Sequence, residues 1–356
     1  MSVVVAAAGT GGHVYPALVI AEAIVACGVA REEVVVFGGD RRAASAAPEA
    51  GFPFVGFELT KLRRSFSPSN LAIPFVLRRT IRAMAEEMRR RRTGAVLGMS
   101  GYVTVPAALA AGRASAPFLL HEQNGSPGLA ARFAARRAQA TFLGLPGRAE
   151  RLPRSRLVGN PLRPELRAFD RDRLRSEGRA RYDLDVAGPV LGVVGGSLGA
   201  RVLNESVAPT VERLPDGAAV VQLTGEARAG VSAERDPRIP WRQLAYEDRM
   251  DLFYAACDLV LCRAGAMTVS EVAATRTPAV FVPLESVGQQ HNAAALVDRG
   301  AATMVVQADA ASLPDVVVGL AGNEEERRRM AAASGPIGAA DAAMDVARAV
   351  VEVAGR

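Results

Sequence analysis

Aromatic residues are scarce in this chain, at 5% of 356 residues with a single tryptophan. No nucleic-acid signature accompanies them, so nucleic acid is the weakest candidate partner. Cysteine is nearly absent: Cys27, Cys257 and Cys262 form neither a paired framework nor a CxxC motif. Buried free thiols are the plain reading, against a disulfide scaffold or a structural metal. No window approaches the roughly 18 consecutive apolar residues of a membrane-spanning helix. The opening "MSVVVAAAG" has no basic leader and runs straight into a glycine loop. It reads as a first strand and not as a signal peptide, so a cytoplasmic protein is expected. Nor does the chain offer a DxD metal motif, because "DRD" (170–172) lies in a linker.

What is abundant is apolar residue, 49% of a length that exceeds what one core usually organises. Two domains are expected. The net charge of +6 conceals a contrast: residues 1–160 hold 21 basic and 10 acidic groups, residues 161–356 hold 22 and 27. The basic first half suits an anionic membrane surface or phosphorylated substrates.

That half alternates "SVVVAAA" (2–8), a helix over 15–27, "EVVVFGG" (33–39), "PFVGFEL" (53–59), a long helix near 68–92, "AVLGM" (95–99), a helix over 104–112, "PFLLHEQ" (117–123), a helix over 127–137 and "ATFLG" (140–144). Strands separated by helical crossovers imply a parallel sheet covered on both faces, a doubly wound α/β domain. "VGNPLRPELRAFDRDR" (158–173) carries prolines and mixed charge without period and marks a linker. The pattern then restarts with "GPVLGVVGGSLGARVLNESVAPTVERL" (188–214), "AAVVQLTG" (218–225), "DLVLCRAGAMTVSEVAATRTPAVFVP" (258–283), "ATMVV" (302–306) and a terminal helix from about 337. Two similar halves, 1–162 and 163–336, place ligands beyond the carboxyl ends of the strands, in the cleft between them.

Each half opens with a glycine loop. "GTGGH" (9–13) fails the dinucleotide fingerprint, whose third glycine would fall on Val14, and it lacks the GK[ST] of a P-loop. Glycines and free amides at a helix start still suit an anion. "GGSLGA" (195–200) repeats the device, with Ser197 adding a hydroxyl. It also spells GxSxG, the nucleophile elbow of α/β hydrolases, whose triad would have to recruit His291 from a glutamine-rich loop. In "CRAGAMTVSE" (262–271), Thr268, Ser270 and Glu271 fall on the first turns of a helix. The hydroxyls can cap that helix, or the carboxylate can accept both hydroxyls of a ribose while loop amides take a diphosphate. "SGY" (100–102) is a fourth candidate anion loop.

"GTGGHVYPAL", "VLGMSGYVTVPAALAA", "LLHEQNGSPGLAAR", "VGNPLR", "VVGGSLGARVLN", "CRAGAMTVSEVAA" and "PAVFVPL", in this order and at these spacings, resemble the MurG family over nearly the whole chain. These transferases add N-acetylglucosamine to undecaprenyl-pyrophosphoryl-muramyl peptide in peptidoglycan synthesis. The resemblance implies a GT-B architecture: two Rossmann-like domains facing a deep cleft, with the last helix, about 337–356, crossing back to the first domain. The second domain would hold UDP-GlcNAc and the first the lipid-linked acceptor. By position, donor binding would fall to Thr10, Gly11, Gly12, Asn124, Arg163, Ser197, the run Ala266, Met267, Thr268, Val269, Ser270 and Glu271, and Gln289 or Gln290. Glu271 would hold the ribose hydroxyls, and a backbone contact to uracil would fall near Glu247. Gly12, His13, Ser100, Gly101 and Tyr102 would take the acceptor diphosphate. Ala8 and Ser100 stand where relatives carry glycine, and Glu247 stands where they carry an apolar residue.

The implied reaction is inverting transfer of N-acetylglucosamine to the 4-hydroxyl of the muramyl sugar of the undecaprenyl-pyrophosphoryl-MurNAc-pentapeptide, lipid I to lipid II. No metal or other cofactor is required if Ser197, Arg163 and helix amides take the leaving-group charge. His13 is the candidate base, the alternative being that it orders the glycine loop or binds phosphate as a cation. His121 reads as a brace for the Asn124 loop.

Residues 61–92 hold ten basic groups against Glu86 and Glu87. Leu71, Ile73 and Phe75 beside Arg78, Arg79 and Arg82 form a patch suited to an anionic leaflet, the alternative being a solvated charged helix. Leu77, Ile81, Met84 and Met88 recur at helical spacing and face the core. A peripheral protein at the cytoplasmic face of the inner membrane is expected, with other cell-wall synthesis proteins as candidate partners. The competing readings are another GT-B sugar-nucleotide enzyme (a 2-epimerase or a lipid galactosyl- or glucosyltransferase), a hydrolase using Ser197, and a non-catalytic sugar-nucleotide sensor.

Overall fold

The computed structural model describes residues 1–8, 11–39, 42–59, 73–232, 238–339 and 341–355, with Gly11, Arg42 and Ile73 described by their backbone alone. Thr10, Leu71 and the basic Lys61, Arg63 and Arg64 lie outside the described residues. The chain divides into two compact units, Met1–Arg163 with Gly338–Arg356, and Pro164–Ile337. Arg163, expected to open the second domain, therefore closes the first stretch of unit 1.

Unit 1 contains the strands β1 (Val3–Ala6), β2 (Val34–Gly38), β3 (Phe54–Gly56), β4 (Ala95–Met99), β5 (Phe118–Glu122), β6 (Thr141–Leu143) and β7 (Ser155–Leu157). They form one sheet in the order β3-β2-β1-β4-β5-β6-β7. Every pairing in it is parallel. The central strands are continuous apolar runs buried along their whole length, as helices on both faces require. Those helices are α1 (Gly11–Ala26), α2 (Arg42–Glu49), α3 (Ile73–Arg90), α4 (Thr104–Arg113) and α5 (Leu129–Ala135).

Unit 2 repeats the plan with β8 (Val190–Val194), β9 (Ala219–Leu223), β10 (Trp241–Leu244), β11 (Leu259–Cys262), β12 (Ala279–Phe281) and β13 (Ala302–Met304), ordered β10-β9-β8-β11-β12-β13. Its helices are α6 (Pro164–Arg167), α7 (Arg171–Arg181), α8 (Arg201–Val211), α9 (Met250–Ala256), α10 (Ala266–Thr275), α11 (Gln290–Val297), α12 (Leu313–Gly322) and α13 (Glu324–Ala333).

The expected linker thus contains the short helix α6 and the start of α7. Asp170 accepts the Arg173 amide and caps α7, and Arg171 reaches from α7 to the carbonyls of Tyr254 and Cys257. Within 164–173, Arg171 is the side chain that ties α7 to the rest of unit 2. β7 and β10 escape a reading by apolar runs because each is a short edge strand, partly exposed along its length.

The terminal helix α14 (Ala342–Ala354) starts later than 337, with Asp341 as its cap. It belongs to unit 1, where Ala343, Val346, Ala347 and Val350 share one buried core with Val14, Ala17, Ile20, Ala21 and Ile24 of α1. This explains why α1 is apolar on more than one face: the sheet covers one side and α14 another. Cys27, Cys257 and Cys262 are all free thiols.

Candidate functional site

In unit 1 the singled-out residues converge at the carboxyl ends of β1, β4 and β5. Helix α1 begins at Gly11, so His13 lies in its first turn and not in the loop before it. Pro16 sits inside that helix and has no amide for the Gly12 carbonyl four residues back. Gln123 supplies the missing donor from the "HEQN" turn, its Nε2 lying 3.0 Å from the Gly12 oxygen. Gln123 was not among the expected site residues, although a proline one turn into the helix signals an orphaned carbonyl.

Ser100 adopts a left-handed φ of 26° and Gly101 one of 86°, which is why glycine suits both positions. Ser100 offsets its strain through Oγ, which donates to the His121 carbonyl at 3.0 Å. A Cβ at Gly101 would stand 3.7 Å from His13 Cδ2 and 3.7 Å from the Ala8 carbonyl. The "SGY" loop therefore lies beside the histidine, with room for little more than a methyl group between them. Tyr102 instead leans on the core, its hydroxyl facing the end of β2 at Gly39.

Several polar pairs lie around this point. Glu122, buried, accepts the Asn124 amide at 2.9 Å and its Nδ2 at 3.0 Å. Burial pushes the Glu122 carboxyl up, against the opposing pull of these donors. Asn160 Nδ2 donates to the Gln123 carbonyl at 3.2 Å. Arg163 stacks on Tyr15 of α1, 4.7 Å from the ring centroid, so its cation lies beside the helix that carries His13. His121 is fully buried and its Nε2 meets the Gly159 carbonyl at 3.1 Å. It braces the "VGN" segment rather than the Asn124 loop, and burial lowers its pKa to about 4.

In unit 2 the loops after β8, β9 and β11 lie together. Gly199 and Gly225, both at φ 78°, interlock: a Cβ on Gly225 would fall 2.0 Å from the Gly199 nitrogen. The Glu226 amide donates to the Ser197 carbonyl at 3.0 Å, so the turn after β9 holds the serine loop from behind and leaves Ser197 exposed. Helices α8 and α10 follow N-cap residues Ala200 and Gly265, neither of which makes a side-chain cap hydrogen bond, and a helix start of this kind suits an anionic group. Against the capping expectation, Ser270 Oγ donates back to the Ala266 carbonyl at 3.0 Å.

Glu271, half-buried in the second turn of α10, accepts the Tyr254 hydroxyl at 3.0 Å. Tyr254 is a second residue that motif reading missed. Asn292 Nδ2 donates to the Ala264 carbonyl at 3.1 Å and ties the glutamine segment to the "CRAGA" loop. Gln289 Oε1 accepts the Leu284 amide at 2.9 Å, whereas Gln290 Oε1 is buried with no hydrogen-bond partner among the described residues. The Glu247 carboxylate is engaged by Arg181 at 2.8 and 2.9 Å, by Tyr182 at 2.8 Å and by the Arg249 amide at 2.8 Å. These donors hold its carboxyl below the usual range despite burial. Its side chain is a clamp between α7 and the chain before α9, so any ligand contact at this position falls to the backbone. Among the described residues no histidine hydrogen-bonds Ser197, which leaves the hydrolase reading without its base.

On α3, Ile81, Met84 and Met88 are buried and Leu77 packs beside them. Phe75 is 78% exposed, Arg78 and Arg82 are exposed, and Arg79 pairs with Glu58. Among the described residues no helix is long and apolar enough to cross a membrane.

Both units resemble known proteins. The model of the glycosyltransferase family 28 N-terminal domain matches residues 3–143, and that of the family's C-terminal domain matches residues 190–348. A protein of Nocardioides sp., named UDP-N-acetylglucosamine–N-acetylmuramyl-(pentapeptide) pyrophosphoryl-undecaprenol N-acetylglucosamine transferase, is 38% identical over 99% of this chain and 98% of its own. A Nocardia farcinica protein of the same name is 36% identical over 99% and 96%. The crystal structure of Acinetobacter baumannii MurG superposes with a TM-score of 0.77 at 27% identity, covering 99% of this chain and 100% of that one. A putative UDP-N-acetylglucosamine 2-epimerase from Listeria monocytogenes, TM-score 0.67 at 14% identity, shares the fold alone. Two parallel Rossmann-like sheets, each with its glycine loops at the carboxyl ends of the strands, thus carry both halves of a known enzyme family over nearly their full length, and the chain belongs to glycosyltransferase family 28.

Proposed function

We propose that this enzyme transfers N-acetylglucosamine from UDP-GlcNAc to the 4-hydroxyl of the muramyl sugar of undecaprenyl-pyrophosphoryl-MurNAc-pentapeptide. The observation that carries this is the 38% identity, over 99% of the chain, to a transferase of that name. The acceptor oxygen attacks the anomeric carbon from the face opposite the diphosphate, the bond from that carbon to the diphosphate oxygen breaks, and UDP leaves. Inversion follows from the single displacement.

Unit 2 takes the donor in this reading: uncapped amides of α8 and α10 with Ser197 on the diphosphate, Glu271 on the ribose, the backbone near Glu247 on uracil, and Gln289 or Gln290 on the sugar. Unit 1 takes the acceptor, with Gly12, Ser100 and Gly101 around its diphosphate. His13 receives the proton of the attacking hydroxyl, supported by its place in the first turn of α1 against Gly101. Arg163 adds a cation to the leaving group, so the reaction requires no divalent ion or other cofactor. The exposed Phe75 with Arg78 and Arg82 on α3 seats the enzyme peripherally on the cytoplasmic leaflet, where other cell-wall synthesis proteins would meet it.

Incubation with radiolabelled UDP-GlcNAc and the lipid-linked muramyl peptide should yield the labelled lipid disaccharide. Binding of the donor without transfer would sink the proposal. In the same assay His13→Ala should cut kcat by about a hundredfold or more, the usual scale of general-base catalysis, with the donor KM nearly unchanged. An unaltered kcat would remove His13 as the base.

A further inference from the structure

Tyr254 has no role in the reaction as described, yet its surroundings are specific. It lies on α9 in the core of unit 2, fully buried, its ring meeting Phe253 edge-on with centroids 5.5 Å apart. A phenylalanine would fill the same space. The hydroxyl is the one feature that packing does not require, and it ends 3.0 Å from Glu271 Oε2. Burial and the neighbouring carboxylate both hold the phenol well above its ordinary pKa, so it stays protonated and can only donate to the acid.

The spacing between the two helices is itself clamped. Arg171 Nη1 donates to the Tyr254 carbonyl at 2.7 Å and to the Cys257 carbonyl at 2.6 Å. Its Nη2 reaches the Thr275 carbonyl at 3.2 Å and Thr277 Oγ1 at 2.6 Å, at the far end of α10. The phenol therefore approaches Glu271 from a fixed direction on the buried side, while the acid itself is only half-buried.

We propose that Tyr254 is a positioning residue for donor selectivity. By holding one carboxylate oxygen of Glu271 from the protein side, it sets the plane in which that carboxylate meets the 2′- and 3′-hydroxyls of a ribose, so discrimination against a 2′-deoxyribose nucleoside diphosphate depends on the phenolic hydroxyl. The inference rests on the assignment of Glu271 to the ribose made above.

Binding of UDP and of 2′-deoxy-UDP, measured by calorimetry on the same preparation, gives a preference ratio that does not depend on the fraction of protein folded. Tyr254→Phe should lower that ratio about tenfold, the scale of one hydrogen bond to a charged group. It should raise the KM for UDP-GlcNAc while leaving kcat within about twofold. Glu271→Gln should lower the preference at least as far, and adding Tyr254→Phe to it should change the ratio no further. If Glu271→Gln keeps the native preference, the ribose assignment fails and the inference with it. If Glu271→Gln loses the preference and Tyr254→Phe keeps it, the ribose assignment stands and Tyr254 is only core. A further fall in the double variant would show that the phenol acts through packing and would equally overturn the role proposed here.

Discussion

At the scale of single residues, the site is built by groups that repair one another's costs. Pro16 orphans a carbonyl that Gln123 satisfies, and Ser100 accepts a strained backbone that its own hydroxyl helps to hold. His121 shows the same logic with a consequence for stability. Its native pKa of about 4 lies below the ordinary 6.5 because burial disfavours the imidazolium. Above pH 6.5 both folded and unfolded states carry it neutral. As pH falls, the unfolded chain takes up a proton that the native state refuses, so stability declines from about pH 6.5 and the loss is complete once pH drops below about 4. The loss amounts to roughly 3 kcal/mol at its limit. Urea unfolding at pH 7.5, 5.5 and 4.5 should show that extra decline in the native chain relative to His121→Asn, and parallel pH profiles would refute it. Glu122, raised by burial, works in the opposite sense, costing stability where it ionises.

At the scale of elements, legibility followed chemistry. Strands buried on both faces announce themselves as apolar runs, and the glycine loops announce themselves by composition. The edge strands β7 and β10, the four-residue α6 and the arginine-rich α7 do not, because short, partly exposed or strongly charged segments carry no apolar run of their own. The same holds for the two missed residues: Gln123 and Tyr254 act on Gly12 and Glu271 from elsewhere in the chain, and only the folded unit brings each pair together. Gly199 and Gly225 are the clearest case of two loops that depend on each other. Gly225→Ala would force a Cβ to 2.0 Å from a backbone nitrogen at a left-handed φ, and should destabilise unit 2 by about 3 kcal/mol. Because the same turn supports Ser197 from behind, affinity for UDP should fall as well. Native thermal melting together with native UDP affinity in that variant would contradict the interlock.

At the scale of the whole molecule, the uneven charge is the feature that local structure does not explain. The excess of basic groups in the first 160 residues includes Arg78 and Arg82 beside the exposed Phe75 on α3. A basic rim around an exposed aromatic suits an anionic leaflet, each cation contributing about 1 kcal/mol near the surface. Sedimentation with vesicles should rise with anionic-lipid content and fall with salt. The double change Arg78→Glu with Arg82→Glu should reduce it about tenfold or more. Sedimentation indifferent to lipid charge, or unchanged in the variant, would leave α3 as an ordinary solvated helix.

By itself the sequence determined the class of fold, the repeat of one α/β plan in two halves and the positions of the glycine loops, since each of these is written in local periodicity and composition. Tertiary structure decided what those loops touch: that Gly101 abuts His13, that Arg163 stacks within unit 1, that the Glu247 carboxylate is held by Arg181 and Tyr182, and that Tyr254 stands behind Glu271. Those contacts join residues from distant parts of the chain or from neighbouring strand ends, and no window along the chain contains the burial and hydrogen-bond geometry that selects them.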